Sequence, residues 1–255
     1  MTYHPFRITG DARPGPWLVT CDHATNTVPP QVCGGTLGLA QADMGRHIAY
    51  DPGAAGVALA LGEALNAAVV TSNFSRLVID PNRGEDDPTL LMRIYDGTVI
   101  PGNRHADAAE LEHRLALCYR PYHDAVARIA ARYADTAIVS IHTFTEQLRG
   151  RQLRPWHVGI LHSHLDSRLA QPLIDQLTGE GDIVVGDNEP YGGHLPGDSV
   201  ARHALDQGRA NVLIELRQDI VATAETQKAW ALRLAPHLRR ALASIGGQSG
   251  SSGMS

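Results

Sequence analysis

No run of apolar residues in this chain approaches the roughly 18 that a membrane-spanning helix needs. The N-terminal "MTYHPFRITG" has neither the basic nor the apolar stretch of a signal peptide. Its basic residues are scattered and the formal net charge is −5. This argues against a nucleic-acid surface, which needs a basic face to displace counterions. The three cysteines, Cys21, Cys33 and Cys118, form no disulfide framework, so a reducing cytoplasm is the expected compartment. Phenylalanine is as scarce, at three, against 13 histidines, a balance that directs the search to metal ligands.

What is present suits a soluble globular protein. The 255 residues are 43% hydrophobic and 19% charged, enough for a substantial core. Continuous apolar runs at 17–21, 67–72, 76–80, 137–141, 157–162, 182–186 and 211–216 read as strands buried on both faces. Between them, 53–67, 106–134, 167–179 and 198–208 carry helical periodicity, and a last helix covers about 223–244. Strands alternating with helices predict an α/β fold with a mostly parallel sheet covered on both faces. One domain is expected over 1–244, and the Gly/Ser-rich 245–255 is expected to be a disordered tail. Segment 84–105 reads as a long loop.

Polar residues gather where strands end. Asp22, His23 and Asn26 follow "WLVTC"; Asp80, Asn82 and Arg83 close "RLVIDPNR"; His142 ends "AIVSIH"; Glu215 and Arg217 lie in "NVLIELR". Ligands of open α/β sheets bind outside the carboxyl ends of strands, so these residues can converge on one site. Neutral imidazoles ligate zinc, a carboxylate moves protons, and arginine matches a carboxylate with two parallel bonds. Each residue also has a plainer reading. His23 and His142 fit ordinary loop histidines, and Arg83 fits a solvated charge. Glu215, amid "VLIEL", should be buried, and a structural ion pair with Arg217 would then account for it. The residues alone leave both readings open.

Six segments, "CDHATNTVPP", "HIAYDPGA", "SRLVIDPNR", "IHTFT", "NEPYGG" and "VLIELRQDI", together resemble the N-formylglutamate amidohydrolase family, over about residues 15–240. That family is distantly similar to zinc carboxypeptidases and acyl-amino-acid deacylases. The resemblance implies a three-layer α/β/α fold with a mostly parallel, mixed sheet, phosphorylase/hydrolase-like in the manner of the zinc carboxypeptidases. It implies one Zn2+ per chain, with His142 and His23 as ligands and a third from Asp51, Asn26 or another residue. Glu215 would be the base and Arg217 a catalytic arginine beside it, and Asn82 and Arg83 would hold substrate carboxylates. The relatives' His-x-x-Glu motif is His23-x-x-Asn26 here, so either Asn26 ligates or another carboxylate completes the site. Asp51 is the candidate, although it also reads as the N-cap of helix 53–67; His47 is a further one. Tyr191 would offer a loop hydroxyl, with Gly192 and Gly193 as hinges. His203 reads as a surface histidine. Arg76, Arg93 and Arg149 are further cations for a second substrate carboxylate.

The implied reaction is hydrolysis of an N-acyl amino acid, N-formyl-L-glutamate in particular, to formate and glutamate, as in histidine degradation. The expected partner is a small acidic molecule, with no nucleic acid and no membrane. Two alternatives stand beside it: a carboxypeptidase-like hydrolase of another small acidic acyl-amino acid or peptide, and a non-catalytic binder of an acidic metabolite on the same scaffold.

Overall fold

Apolar, largely β-branched runs form the middle of the sheet. In a computed structural model that describes residues 3–193 and 195–248, the strands are β1 (Phe6–Thr9), β2 (Trp17–Cys21), β3 (Ala68–Ser72), β4 (Ile94–Tyr95), β5 (Thr98–Val99), β6 (Ala137–Phe144), β7 (Val158–Leu161), β8 (Val185–Asp187) and β9 (Asn211–Arg217). The helices are α1 (Gln41–Met44), α2 (Ala54–Leu65), α3 (Ala108–Arg114), α4 (Arg120–Ala130), α5 (Ala170–Thr178), α6 (Ser199–His203) and α7 (Ala224–Gln248). Seven strands form one sheet in the order β1-β3-β2-β6-β9-β7-β8, and β4 and β5 form a separate hairpin. The pairs β2–β3, β2–β6, β6–β9 and β7–β8 are parallel; β1–β3 and β7–β9 are antiparallel. The sheet is therefore mixed and mostly parallel, as the family resemblance implies.

Strand alternation divides the core into two layers. Val19, Val139, Ile141, Val212 and Ile214 pack under α2, α5 and α7. Leu18, Ile138 and Leu213 face the other way, against Tyr122, Val126 and Val200 of α4 and α6. Leu61 and Leu238 are fully buried between sheet and helices. Burying a side chain of this size contributes about 1.5–3 kcal/mol. Among the described residues, no helix is long and apolar enough to cross a membrane.

Three expectations need correction. Segment 76–80 is not a strand. Its carbonyls go to side chains instead of a ladder: Asn103 Nδ2 donates to Leu77 O and Arg114 to Val78 O, at 2.7 and 2.9 Å. Helix 106–134 is interrupted by a π-helical turn at Leu115–Tyr119, between α3 and α4. The last helix runs to Gln248, past the expected start of the tail, since extending a formed helix is easier than nucleating one. Residues 249–255 lie outside the described residues. β1, an edge strand, went unrecognised in the sequence.

Candidate metal centre and its cavity

β2, β6 and β9 run parallel side by side, so their carboxyl ends open on one side of the sheet. His23 follows β2, His142 lies on β6 and Glu215 on β9. His142 and Ile138 share a face of β6, and Glu215 and Leu213 share a face of β9. That is the layer of α4 and α6. The backbone N–H of Asp51 donates to the His23 carbonyl at 2.9 Å, and Thr143 N–H donates to the Asp51 carboxylate at 3.3 Å. Asp51 is thus tied to both β2 and β6.

One carboxylate oxygen serves both histidines. Asp51 Oδ2 lies 3.2 Å from His23 Nδ1 and 2.9 Å from His142 Nδ1. All three residues are buried, and each presents a ligand atom within 4.8 Å of the other two. The far nitrogens meet carboxylates as well. His23 Nε2 lies 2.7 Å from Asp80 Oδ1, and His142 Nε2 lies 3.3 Å from Asp22 Oδ2. Arg76 donates to Asp80 Oδ2 through Nε and Nη2 at 3.1 and 2.7 Å. Tyr122 and Ser199 hydroxyls donate to Asp22 Oδ1 at 2.6 and 3.1 Å.

The charges in this cluster do not balance. Burial pushes the carboxyls of Asp22, Asp51 and Asp80 up, but neighbouring cations and hydrogen-bond donors outweigh it. The Asp22 carboxyl is held down at about 2, chiefly by His142. Asp51 is lowered by both histidines, and Asp80 chiefly by Arg76. Three buried carboxylates face one guanidinium, leaving two negative charges when the imidazoles are neutral. Buried charge is costly unless compensated. Burial lowers the His142 pKa, but its bonds to Asp22 and Asp51 override this and raise it well above the ordinary value. Two imidazole nitrogens and a carboxylate oxygen suit zinc and similar divalent ions. A carboxylate behind each imidazole is the usual device for orienting such ligands. The residues present therefore fit a divalent cation.

A cavity of about 470 Å3 opens above this group. Glu215 lines it, yet its Oε2 is buried with no hydrogen-bond partner. Burial raises the Glu215 carboxyl to about 7, against the pull of His142 and His23. Asn82, Arg83, Tyr191 and His47 line it too. Asn82 N–H donates to Asp80 Oδ1 at 2.9 Å. Arg83 donates to Asn82 O and Thr89 Oγ1 at 2.7 and 3.1 Å. Burial lowers the His47 pKa, and its ring packs edge-on to Tyr95.

Two expected residues stand elsewhere. Asn26 donates its amide to Met44 O at 2.7 Å and is not part of the cavity wall. Arg217 makes no pair with Glu215. Its donors are taken by Asp219 and by the carbonyls of Arg154, Pro155 and Trp156, because it lies at the far end of β9, where β7 begins. Asp51 does not cap α2. The residue preceding that helix is Gly53, and no side chain caps it. His203 is buried, not on the surface, 2.8 Å from His123.

The model of the N-formylglutamate amidohydrolase family matches residues 15–222, which include both histidines, all three aspartates and Glu215. The chain belongs to the N-formylglutamate amidohydrolase family. Gene product Atu2144 of Agrobacterium tumefaciens has a crystal structure that is similar at a TM-score of 0.89 and 37% identity, over 95% of this chain and 96% of that one. The N-formylglutamate amidohydrolase of Ralstonia eutropha JMP134 is similar at 0.65 and 21%, over 92% and 98%. A bacteriophage poly-gamma-glutamate hydrolase shares the fold at 0.50 and 13%, over 97% and 93%. Among proteins of curated function, none matches the sequence.

Sequence reasoning placed Asp22 and Asp80 at the site without a role for either, and left Arg76 among several arginines. For Asp80 a signal existed, an arginine four residues earlier. Tyr122 and Ser199 gave none, being 100 and 177 residues from Asp22.

Proposed function

We infer that this member of the N-formylglutamate amidohydrolase family is a metal-dependent hydrolase of an N-acyl amino acid, with N-formyl-L-glutamate the preferred substrate. One observation carries the reading. A buried His23–Asp51–His142 group and an unpartnered Glu215 carboxylate meet in one cavity. His23, Asp51 and His142 would hold the ion, zinc by the family's distant likeness to zinc carboxypeptidases. When bound, such an ion lowers the pKa of water and polarises a carbonyl.

The chain's own residues supply the rest. Glu215, poised near neutrality, takes the proton of the attacking water and delivers it to the departing amine nitrogen. Asp22 and Asp80 hold the two imidazoles in orientation. Arg76, also on the cavity wall, holds the Asp80 carboxylate that orients His23. Asn82 and Arg83 bind a substrate carboxylate, and the Tyr191 hydroxyl closes the mouth. The products would be formate and glutamate, as histidine degradation requires, from a single domain in the cytoplasm.

The test is acid release from a panel of N-formyl amino acids with acidic, amide and apolar side chains, with metal supplied. Formate release fastest from the glutamate derivative supports the reading. No release from any member overturns it.

A further inference from the structure

Arg154 lies between β6 and β7, outside every segment that carries the family resemblance. Its guanidinium carbon sits 5.6 Å from the Phe144 ring centroid and 5.0 Å from that of Tyr191. Nη1 donates to the Thr145 carbonyl and to the Tyr191 hydroxyl oxygen, both at 3.0 Å. Phe144, Thr145 and Tyr191 all line the cavity. Arg154 is thus fixed against the cavity wall.

It is also uncompensated. Arg76 and Arg217 are neutralised by Asp80 and Asp219. Among the described residues, no carboxylate lies within ion-pair distance of Arg154, and its Nε and Nη2 have no hydrogen-bond partner. Arg83, from the segment after β3, likewise lacks a carboxylate among those residues and lines the same cavity. One unneutralised guanidinium, Arg83, therefore lines the cavity, and a second, Arg154, stands against its wall without being one of the lining residues, brought by a different segment. An arginine braced by aromatic faces, with part of its donor fork free, is preorganised for an anion.

The Tyr191 hydroxyl belongs to the same element. Its oxygen accepts from Arg154, which leaves its own proton for a ligand. Desolvation and the Glu215 carboxylate push its pKa up to about 12, so it stays a donor. Gly159 on β7 lets the Tyr191 loop lie this close, since a Cβ there would stand 2.0 Å from the Glu189 carbonyl oxygen.

We propose that Arg154, with the Tyr191 hydroxyl it holds, selects a second anionic group on the ligand, so that the cavity takes dicarboxylic ligands over monocarboxylic ones. This deepens the hydrolase reading and rests on it for the first carboxylate, assigned to Arg83 and Asn82.

The test is calorimetric titration of glutarate and of butyrate into the unmodified chain, Arg154→Ala, Arg154→Lys and Tyr191→Phe. The unmodified chain should bind glutarate at least about tenfold more tightly than butyrate. Arg154→Ala should lose about 10- to 100-fold in glutarate affinity, the range of a charge-assisted hydrogen bond, and leave butyrate unchanged. Lysine keeps the charge without the planar fork, so Arg154→Lys should recover only part of the preference. Tyr191→Phe should lose a smaller part. A general loss of structure would lower both ligands together; loss confined to glutarate marks selection by charge. Equal affinities in the unmodified chain, or a full preference in Arg154→Ala, would overturn the proposal. If Arg154→Ala does not fold, an undiminished preference in Arg154→Lys would overturn it. A chain that binds glutarate through Arg154 but releases no formate keeps this proposal and contradicts the hydrolase reading.

Discussion

His142 on β6 and Glu215 on β9 are register partners on adjacent parallel strands. The pairing sets an imidazole of the candidate metal group beside a buried carboxylate that has an unpartnered oxygen. Parallel strands bring this about from residues far apart in sequence, because both ends open on the same side of the sheet. Neither strand could slip by one residue without turning its polar side chain into the opposite core.

Replacing Glu215 with glutamine keeps the shape and removes the proposed base. Turnover of N-formylglutamate should fall at least about 100-fold, as expected for lost acid–base catalysis. Metal content, read by elemental analysis, should not change. A Glu215→Gln chain with more than about a tenth of normal kcat would remove Glu215 from the proton transfer.

The same substitution should stabilise the metal-free chain, and only at higher pH. Burial raises the Glu215 carboxyl from 4.5 to about 7. Between those values the folded state keeps a proton that the unfolded state has lost, so stability falls as pH rises, and the penalty is complete above about pH 7. Urea unfolding at pH 8 should show Glu215→Gln more stable by roughly 3–3.5 kcal/mol, from about 1.4 kcal/mol per pKa unit. At pH 5 the gain should shrink to under about 1 kcal/mol. A gain independent of pH would mean that the carboxylate carries no such penalty.

Asp22 should act on the metal through His142. Asp22→Asn keeps the bulk but weakens the acceptor for the imidazole, and zinc affinity should fall about 10- to 100-fold. Asp51→Asn removes the charge of a proposed ligand and should cost more than Asp22→Asn. Competition with a chromogenic chelator measures both. Unchanged affinity in Asp22→Asn would show that the imidazole needs no such support.

Two arginines should respond in opposite ways. Arg83→Ala should raise KM for N-formylglutamate about 10- to 100-fold. Arg217→Ala should change KM less than about threefold, because its donors serve the protein. Steady-state kinetics on the two variants decides. A large KM effect from Arg217→Ala would place it at the substrate after all.

The parts that could be read in the sequence were those encoded locally. Continuous apolar runs marked β2, β3, β6, β7, β8 and β9, since strands buried on both faces are apolar throughout. His142 and Glu215 stood out because each is a polar group inside such a run. The segment 76–80 misled for the same reason. It is apolar and buried, but Asn103 and Arg114 take its carbonyls, and nothing local announces those partners. Arg217 misled through strand alternation, which gives the face and not how far along the strand the cavity extends. Asp51 could be named but not decided between ligand and cap, since both fit a residue before Pro-Gly. Arg154 had no signal at all; its position depends on two aromatic rings, one of them on another loop.

The most direct test is formate release from N-formyl-L-glutamate, measured before chelation, after chelation, and after one equivalent of zinc is restored. Release should be lost on chelation and recovered with zinc, with no recovery in His142→Ala. Undiminished release from the metal-stripped chain would contradict metal dependence.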